Sequence, residues 1–316
     1  MKKIIYCGTP IISLKPLQAL EELGYEICAI ITQPDKALNR KKTLIKSPIK
    51  LYAESKNYKI YQPNLIKDII DDIKELNADF LVTCAYGQFI PNSILCLFKN
   101  CINVHASLLP KYRGGSPVQY SIMNGDKETG ISLMQMVKKM DAGDVYTQDS
   151  ILINLNDDNE IVFRNLGELA YKMVLRDIDK IFNNQIKPFK QDDSEVTFAY
   201  NLTNEEERIN WNQDSNRVHN FVRALSPSPI AFTYLENERI KIKKTSLIGV
   251  NDIIIIPMKI FMPGEIAAID KSGIIVATKT SFIRIEELQR EGKKMLPASI
   301  YYKQENAFFK PFMVFK

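Results

Sequence analysis

Short apolar runs alternate with amphipathic stretches along the first half of the chain. The apolar runs predict strands at residues 3–7, 26–32, 79–84, 101–104, 130–137 and 145–153. Apolar residues at helical spacing predict helices at residues 12–23, 48–55, 65–76 and about 166–181. Strands that alternate with helices are typical of a doubly wound parallel sheet with helices on its faces. We therefore expect an α/β fold for this half of the chain.

The pattern changes near residue 190. Polar residues dominate positions 190–208, which is typical of a linker. A helix is then predicted from Ser215, which we expect to cap it, because apolar residues recur at Val218, Val222 and Leu225. Short strands are predicted at residues 231–235, 239–247, 264–269, 273–278 and 282–288. Several strands with one helix predict a small β-barrel, so the expected domains are 1–189 and 209–316, joined by a linker at 190–208.

Chemically capable side chains follow the strand at residues 101–104. Side chains alternate along a strand, so Asn103 and His105 share one face and can reach the same crevice. An amide there can donate to a developing oxyanion, a histidine can hold or deliver a proton, and Asp141 downstream can supply a carboxylate. The only other histidine is His219, inside a predicted amphipathic helix, and we expect it to be structural. Spacing alone leaves open whether His105 is catalytic or a hydrogen-bonded structural residue.

Composition narrows the class of protein. The 316 residues are 45% hydrophobic and 25% charged, which is typical of a soluble chain long enough for two domains. A net charge of +5 is compatible with a polyanionic partner. Five cysteines show neither disulfide-like pairing nor a CxxC motif, which favours a reducing cytoplasm and no metal. An apolar strand follows Met1 directly and no apolar run has the length of a membrane span, so we expect neither a signal peptide nor a membrane partner.

Several literal motifs change the interpretation. They are NVHASLLPKYRGGSP at residues 103–117, GDKETG at 125–130, DAGD at 141–144, CGTP at 7–10, TQPD at 32–35, SPIK at 47–50, AYGQ at 85–88 and GKKM at 292–295. Together they resemble the folate-dependent formyltransferases, and among these the methionyl-tRNA formyltransferase family most closely. The resemblance runs nearly end to end, which is far more specific than any one motif.

The resemblance implies an activity, a fold and a set of site residues. A formyl group would move from 10-formyltetrahydrofolate to the α-amino group of methionine on initiator tRNA, with Asn103, His105 and Asp141 as the catalytic trio and no metal. The N-terminal domain would be Rossmann-like, and the C-terminal barrel OB-like. The expected folate-binding residues are Ser107, Leu108, Leu109, Pro110, Tyr86, Gln88, Phe89 and Ile90. For residues 85–90 a plain strand-to-helix turn is the alternative, because Gly87 permits either.

Two basic segments are the expected tRNA contacts. Residues 33–46 form a long connection for a βα unit and carry Arg40, Lys41 and Lys42. Family members insert a loop here into the acceptor stem, although this chain has Ala37, Leu38, Asn39 and Lys41 where proline and glycines are common. In the second domain the cations of one predicted strand alternate with isoleucines, and they are Arg239, Lys241 and Lys243. A solvated loop and an ordinary wet strand face are the alternatives for the two segments.

Four other functions are alternatives for this sequence. A sugar-nucleotide amine formyltransferase would share the trio but would need neither the basic loop nor a basic barrel. A glycinamide ribonucleotide formyltransferase would be expected to end near the first domain. A tRNA-binding module without catalysis would not need an intact trio. A nicotinamide enzyme is disfavoured because the turn after the first strand, at residues 8–10, lacks the GxGxxG fingerprint. We expect a monomer.

Overall fold

The computed structural model describes residues 2–37, 44–249, 256–304 and 307–316. The predicted tRNA-contacting residues Arg40, Lys41 and Lys42 lie outside these ranges. The chain divides into two compact units. The first contains Met1–Pro117, Glu128–Leu152 and Phe163–Asn201, and the second contains Val118–Lys127, Ile153–Val162 and Leu202–Lys316.

A mixed seven-stranded sheet forms the centre of the first unit. The strands in chain order are β1 (Lys3–Gly8), β2 (Glu26–Ile31), β3 (Lys36–Ala37), β4 (Leu44–Ile45), β5 (Ile60–Tyr61), β6 (Phe80–Cys84), β7 (Asn100–His105), β8 (Glu128–Gln135) and β9 (Val145–Leu152). The sheet order is β5-β2-β1-β6-β7-β8-β9, while β3 and β4 pair with each other. Neighbours from β5 to β7 run parallel, as predicted.

The last two strands depart from the predicted parallel arrangement. β8 runs antiparallel to β7, and β9 runs antiparallel to β8. Residues 136–144 are too few for the helical crossover that a parallel neighbour requires, so β9 folds back beside β8 as a hairpin. Mixed sheets of this kind are common in α/β folds.

The helices are α1 (Leu14–Glu22), α2 (Pro48–Ser55), α3 (Ile70–Glu75), α4 (Asn92–Leu95), α5 (Pro117–Met123), α6 (Asn159–Phe182) and α7 (Ser215–Ala224). Five of them overlap predicted amphipathic stretches, whereas α4 and α5 were not predicted and α6 begins earlier than expected. α2 begins where predicted, because Ser47 Oγ accepts from Lys50 N at 3.1 Å and Pro48 occupies the first turn. The helix predicted at residues 65–76 is shorter, since Ile66–Ile69 forms a 3₁₀ turn ahead of α3. None of the helices in the described ranges combines the length and apolarity that crossing a bilayer requires.

An antiparallel sheet is the main element of the second unit. Its strands are β10 (Phe232–Leu235), β11 (Glu238–Leu247), β12 (Ile266–Asp270), β13 (Gly273–Ala277), β14 (Phe282–Arg290) and β15 (Met295–Pro297). The order is β10-β11-β14-β13-β12, with β15 on β14. α7 packs Val218 and Val222 against the apolar face of β11. The helix cap differs from the prediction: Asp214, in extended conformation, accepts from Arg217 N at 2.9 Å, so Ser215 is the first helical residue and not the cap.

Candidate active site

The structure brings the predicted catalytic trio together near the carboxyl end of β7, an interior strand of the first unit's sheet. Asn103 and His105 both project from β7 on the face opposite the buried Val104. Asn103 Nδ2 lies 3.3 Å from Asp141 Oδ1, and His105 Nδ1 lies 3.7 Å from the same oxygen. One carboxylate oxygen therefore faces both the amide and the imidazole.

A threonine that sequence reasoning missed orients the Asn103 amide. Thr83 lies opposite Asn103 in the β6–β7 register, and its Oγ1 donates to Asn103 Oδ1 at 2.8 Å. With the amide oxygen taken, Nδ2 is directed toward Asp141. Because an amide nitrogen carries two hydrogens, one remains for another acceptor. The available sequence signal was a polar residue inside the otherwise apolar run of β6.

The surroundings of His105 define its tautomer. The ring is 5% exposed, and Nε2 lies 3.0 Å from the carbonyl oxygen of Tyr112. A carbonyl can only accept, so Nε2 carries the proton in the neutral ring. Nδ1, which faces Asp141, is then the ring nitrogen without a hydrogen in the neutral form. A protonated ring would place its positive charge against the carboxylate.

Asp141 is held in an uncommon backbone conformation. Its φ is +49°, in the left-handed region that non-glycine residues adopt only when neighbours enforce it. Gly114 N donates to Asp141 Oδ2 at 2.8 Å, and Gln191 Nε2 donates to the Asp141 carbonyl at 2.8 Å. The carboxylate thus has one oxygen fixed by a backbone amide and the other turned toward the trio.

Part of the polar stretch interpreted as a linker contributes to this site. Tyr112 N donates to Thr197 Oγ1 at 2.9 Å, and Arg113 exchanges backbone hydrogen bonds of 2.9 Å with Thr197 and Ala199. Residues 191–201 therefore bind the segment that leads to Gly114. Composition could not reveal this, because hydrogen bonding to a distant segment leaves no mark on local polarity.

The backbone of residues 107–110 is fixed by one serine. Ser132 Oγ on β8 donates to the Ser107 carbonyl at 2.6 Å. The same oxygen accepts from Leu109 N at 3.2 Å and from Gln148 Nε2 at 2.8 Å. A hydroxyl can donate once and accept twice, so Ser132 is fully used in shaping this segment.

The four predicted folate residues of this segment differ in what they expose. Ser107 donates from Oγ to the Lys111 carbonyl at 2.6 Å and is fully buried, and Leu109 is 4% exposed. Leu108 and Pro110 are half-buried. Leu108 and Pro110 therefore remain partly exposed on this segment, while Ser107 and Leu109 are buried beneath its surface.

The predicted folate residues after β6 divide in the same way. Tyr86 and Ile90 are 3% and 4% exposed and belong to the apolar core. Burial raises the pKa of the Tyr86 phenol, and among the described residues its hydroxyl has no hydrogen-bond partner. Gln88 uses its amide to bind Ile66 N at 2.9 Å and the Pro63 carbonyl at 3.1 Å. None of these three side chains points freely outward.

The turn after β6 nevertheless exposes backbone. Gly87 has a φ of +86° and Ala85 a φ of +47°, and both are exposed, as is Phe89. The Tyr86 carbonyl between them accepts from Thr9 Oγ1 at 3.0 Å. The positive φ favours glycine at position 87. An open backbone turn with one exposed ring suits the edge and face of a flat heterocycle.

Comparison with known proteins identifies the family. A family model described as formyl transferase matches residues 3–178, and a second, described as formyl transferase, C-terminal domain, matches residues 201–306. The chain belongs to the formyl transferase family. Family and fold were both predicted from the motifs, and both predictions are confirmed.

Individual relatives support this assignment. A protein of Mycoplasma mycoides named methionyl-tRNA formyltransferase is 49% identical, with 95% of this chain and 94% of that protein covered. An N-formyltransferase from Helicobacter canadensis, solved with folinic acid and dTDP-3-aminofucose, has a TM-score of 0.65 at 20% identity over 90% of this chain and 99% of that one. A methionyl-tRNA formyltransferase from Clostridium thermocellum has a TM-score of 0.55 at 21% identity over 80% and 96%. At these identities the two structures support the fold alone.

The three predicted tRNA-binding cations on β11 of this formyl transferase differ in whether they form an ion pair. Ile240 and Ile242 are fully buried, so the cations that alternate with them along the strand lie on the opposite face. Arg239 Nη2 lies 3.8 Å from Glu207 Oε2, and Lys243 Nζ lies 2.8 Å from Glu287 Oε2. Lys241 has no ion pair with any residue that the structure describes.

The second histidine of this family member, His219, has a structural environment. On α7, His219 lies 3.0 Å from Thr245 Oγ1 through Nδ1 and 3.3 Å from the Leu155 carbonyl through Nε2. Burial lowers the pKa of His219, and both ring nitrogens are used inside the second unit. Across the described ranges, no group of three or more His, Cys, Asp and Glu side chains is arranged to hold a metal ion.

Proposed function

We propose that this formyl transferase moves the formyl group of 10-formyltetrahydrofolate to the α-amino group of methionyl initiator tRNA, giving N-formylmethionyl-tRNA for translation initiation. The observation that carries the proposal is the convergence of Asn103 and His105 on Asp141 Oδ1, at 3.3 and 3.7 Å. A relative named methionyl-tRNA formyltransferase that is 49% identical over nearly the whole chain supports this choice of acceptor.

In the proposed reaction the methionine amine attacks the formyl carbon. A carbon–nitrogen bond forms, and negative charge develops on the formyl oxygen. Asn103 Nδ2 and the protonated Nδ1 of His105 donate to that oxygen, and one such donor is worth about 3 kcal/mol in comparable sites. Asp141 accepts the proton that the amine loses, directly or through water. The oxyanion then collapses, the bond from the formyl carbon to the folate nitrogen breaks, and that nitrogen takes up the proton that Asp141 accepted, which restores the carboxylate.

The folate is proposed to lie between the two segments that follow β6 and β7. Leu108 and Pro110 offer an apolar surface, Phe89 an exposed ring, and Ala85 and Gly87 an open backbone turn. Apolar surfaces with a few backbone groups are what a flat heterocycle requires. The buried folate residues Ser107, Leu109, Tyr86 and Ile90, and Gln88 with its hydrogen-bonded amide, are proposed to shape the pocket rather than to touch the ligand through their side chains.

We further propose a division of labour along the chain. Residues 1–189 bind the folate and carry the chemistry, residues 190–208 connect the two domains and also bind the backbone of the site through residues 191–201, and residues 209–316 bind tRNA. Arg40, Lys41 and Lys42 are proposed to contact the acceptor stem, and Arg239, Lys241 and Lys243 the phosphate backbone. All five cysteines are free thiols, and charged tRNA is a cytoplasmic substrate, which supports a cytoplasmic location.

The proposal is tested by transfer of a radiolabelled formyl group from 10-formyltetrahydrofolate. The acceptors are methionyl initiator tRNA, methionyl elongator tRNA, uncharged initiator tRNA and a dTDP-linked amino sugar. We expect transfer to methionyl initiator tRNA well above transfer to the other three acceptors. Efficient transfer to the amino sugar with none to methionyl-tRNA would overturn the proposal and favour the sugar-nucleotide alternative.

A further inference from the structure

Arg113 carries a buried positive charge that the proposed reaction does not use. The residue is 2% exposed, and a buried guanidinium is costly unless it is hydrogen-bonded. Its Nε and Nη2 donate to Gln191 Oε1 at 3.0 and 2.8 Å. Its other contact, with Asp193 Oδ1 at 3.4 Å, is to a side chain that is 85% exposed. Gln191 is therefore the main partner of this charge.

The Gln191 amide is saturated and its orientation is determined. Oε1 accepts both bonds from Arg113, while Nε2 donates to the Asp141 carbonyl at 2.8 Å and to the Gly143 carbonyl at 2.7 Å. A flipped amide would place an NH₂ group against the guanidinium and an oxygen against two carbonyls. The guanidinium thus selects the orientation in which Gln191 can bind the loop that carries Asp141.

That loop requires support because its backbone is strained and tightly packed. Asp141 has a φ of +49°, in the left-handed region that residues with a side chain adopt infrequently. A Cβ atom at Gly143 would lie 1.9 Å from the Gln135 carbonyl oxygen, so the loop cannot relax on that side. Gln191 binds the carbonyls of both residues.

We propose that Gln191 and Arg113 are positioning residues for the carboxylate of Asp141. Arg113 orients the Gln191 amide, Gln191 holds the Asp141 backbone in its left-handed conformation, and this conformation keeps Oδ1 against Asn103 and His105. Neither residue touches a substrate in this role. The inference rests on the proposed formyl transfer, because its readout is the turnover of that reaction.

The Gln191→Glu variant tests the donor end of the amide separately from its acceptor end. The variant keeps the length and the oxygen that faces Arg113, but it replaces the donor by an oxygen that faces two carbonyls. We expect kcat for formyl transfer to fall tenfold or more, while KM for tRNA and for the folate changes less than about twofold. Arg113→Lys keeps the charge and loses the fork that orients the amide, so it should also lower kcat. Asp193→Asn, which alters the exposed partner of Arg113, is the matched control and should leave kcat within about twofold.

A double-mutant cycle with Asp141→Asn distinguishes positioning from general support of the fold. If Gln191 acts through the Asp141 carboxylate, Gln191→Glu should cost less than about twofold once that carboxylate is absent. Circular dichroism and thermal unfolding establish that each variant is folded. If Gln191→Glu fails to fold, Arg113→Lys replaces it in the same double-mutant cycle.

Three results would overturn the inference: wild-type kcat in folded Gln191→Glu, a loss confined to KM, or the same factor of loss in the Asp141→Asn background. Absence of transfer by the wild-type protein in the same assay would instead contradict the proposed function.

Discussion

At His105 the fold determines which ring nitrogen takes part in the proposed reaction. Nε2 bonds to the Tyr112 carbonyl, so Nδ1 is the nitrogen that faces Asp141 Oδ1, at 3.7 Å. The sequence identified the residue, but a tautomer depends on the acceptor that the other nitrogen finds. Here that acceptor belongs to a backbone segment seven residues away in the chain.

Replacing either oxyanion donor should impair chemistry and spare binding. We expect Asn103→Ala and His105→Ala each to lower kcat about a hundredfold or more, because each donor acts on charge that exists only in the transition state. Steady-state kinetics together with equilibrium tRNA binding is the measurement. Asn100→Ala is the matched control, since Asn100 begins the same strand but donates to Tyr146 Oη at 3.2 Å. Loss of tRNA affinity with unchanged kcat would remove both residues from the chemistry.

Asp141→Asn should be as harmful, and it should change the pH dependence. The wild-type reaction needs a carboxylate to accept the amine proton and to face the imidazolium, and an amide can do neither. We therefore expect the acidic limb of the pH–rate profile to move or disappear in the variant. The measurement is kcat/KM against pH for both proteins. An unchanged profile with near-normal rates would refute the pairing of Asp141 with His105.

The proposed catalytic residues were easier to identify from the sequence than the residues that position them. Asn103, His105 and Asp141 were named from motif and alternation, and the structure brings them together. Thr83 and Gln191 were not named, because both act through hydrogen bonds to residues far along the chain. Of the folate residues, sequence could not tell that Leu108 is half-buried while its neighbour Leu109 is core, since burial on the two sides of a loop depends on what packs there.

On the scale of elements, α7 contains a titratable group sealed inside the second unit. His219 is buried between Thr245 and the Leu155 carbonyl, with Arg223 opposing its protonation and Glu286 favouring it. Burial dominates and lowers the pKa of His219 below its ordinary value of 6.5. In the unfolded chain the ring regains its ordinary pKa and binds a proton more readily than the folded ring does.

A stability measurement should detect this difference. Because the unfolded state binds more protons below pH 6.5, the contribution of His219 is fully present above that pH and is lost as the pH falls below it. We expect the unfolding midpoint to drop more steeply for wild type than for His219→Gln between neutral pH and about pH 5. Glutamine can still donate to Leu155 and accept from Thr245 without titrating. Equal slopes for the two proteins would contradict the prediction.

On β11, the three predicted tRNA cations should not be equivalent. Lys241 has no ion pair within the described residues, whereas Lys243 is held by Glu287. Lys241→Ala should therefore weaken binding of all tRNAs and reduce the slope of log K against log salt by about 0.9. Lys243→Ala should do less, because its charge is partly compensated already. Lys67→Ala, on the exposed surface of the first unit, is the control. An unchanged salt slope in Lys241→Ala would exclude a phosphate contact.

Across the whole molecule, both ends of the basic connection are held. Asp35 binds Lys50 at 2.5 Å and Gln62 at 2.8 Å, and Ser47 caps α2. Bonding to Lys50 lowers the pKa of the Asp35 carboxyl, which keeps this pair charged. The connection that carries Arg40 therefore starts and ends at fixed points, although Arg40 itself lies outside the described residues.

Arg40→Ala should lower kcat/KM for methionyl initiator tRNA and leave hydrolysis of 10-formyltetrahydrofolate unchanged. The reason is that an arginine at a deformed stem end contributes to tRNA docking and not to the trio. Lys46→Ala, which removes a charge paired with Glu54 at 2.8 Å in the same connection, is the control and should have little effect. If both activities fall together in Arg40→Ala, the loop shapes the active site and does not read tRNA.

The sequence by itself determined the family, the α/β class of the first half, the β-rich second half and the choice of the three residues proposed to be catalytic. Motifs and hydrophobic periodicity involve residues close together in the chain, so they can be recognised from the sequence alone. Only the tertiary structure decided that β8 and β9 run antiparallel, that residues 191–201 bind the loop before Gly114, and that Gln191 holds the Asp141 backbone. These features depend on hydrogen bonds between segments far apart in the chain, and such bonds form only once packing has set their geometry.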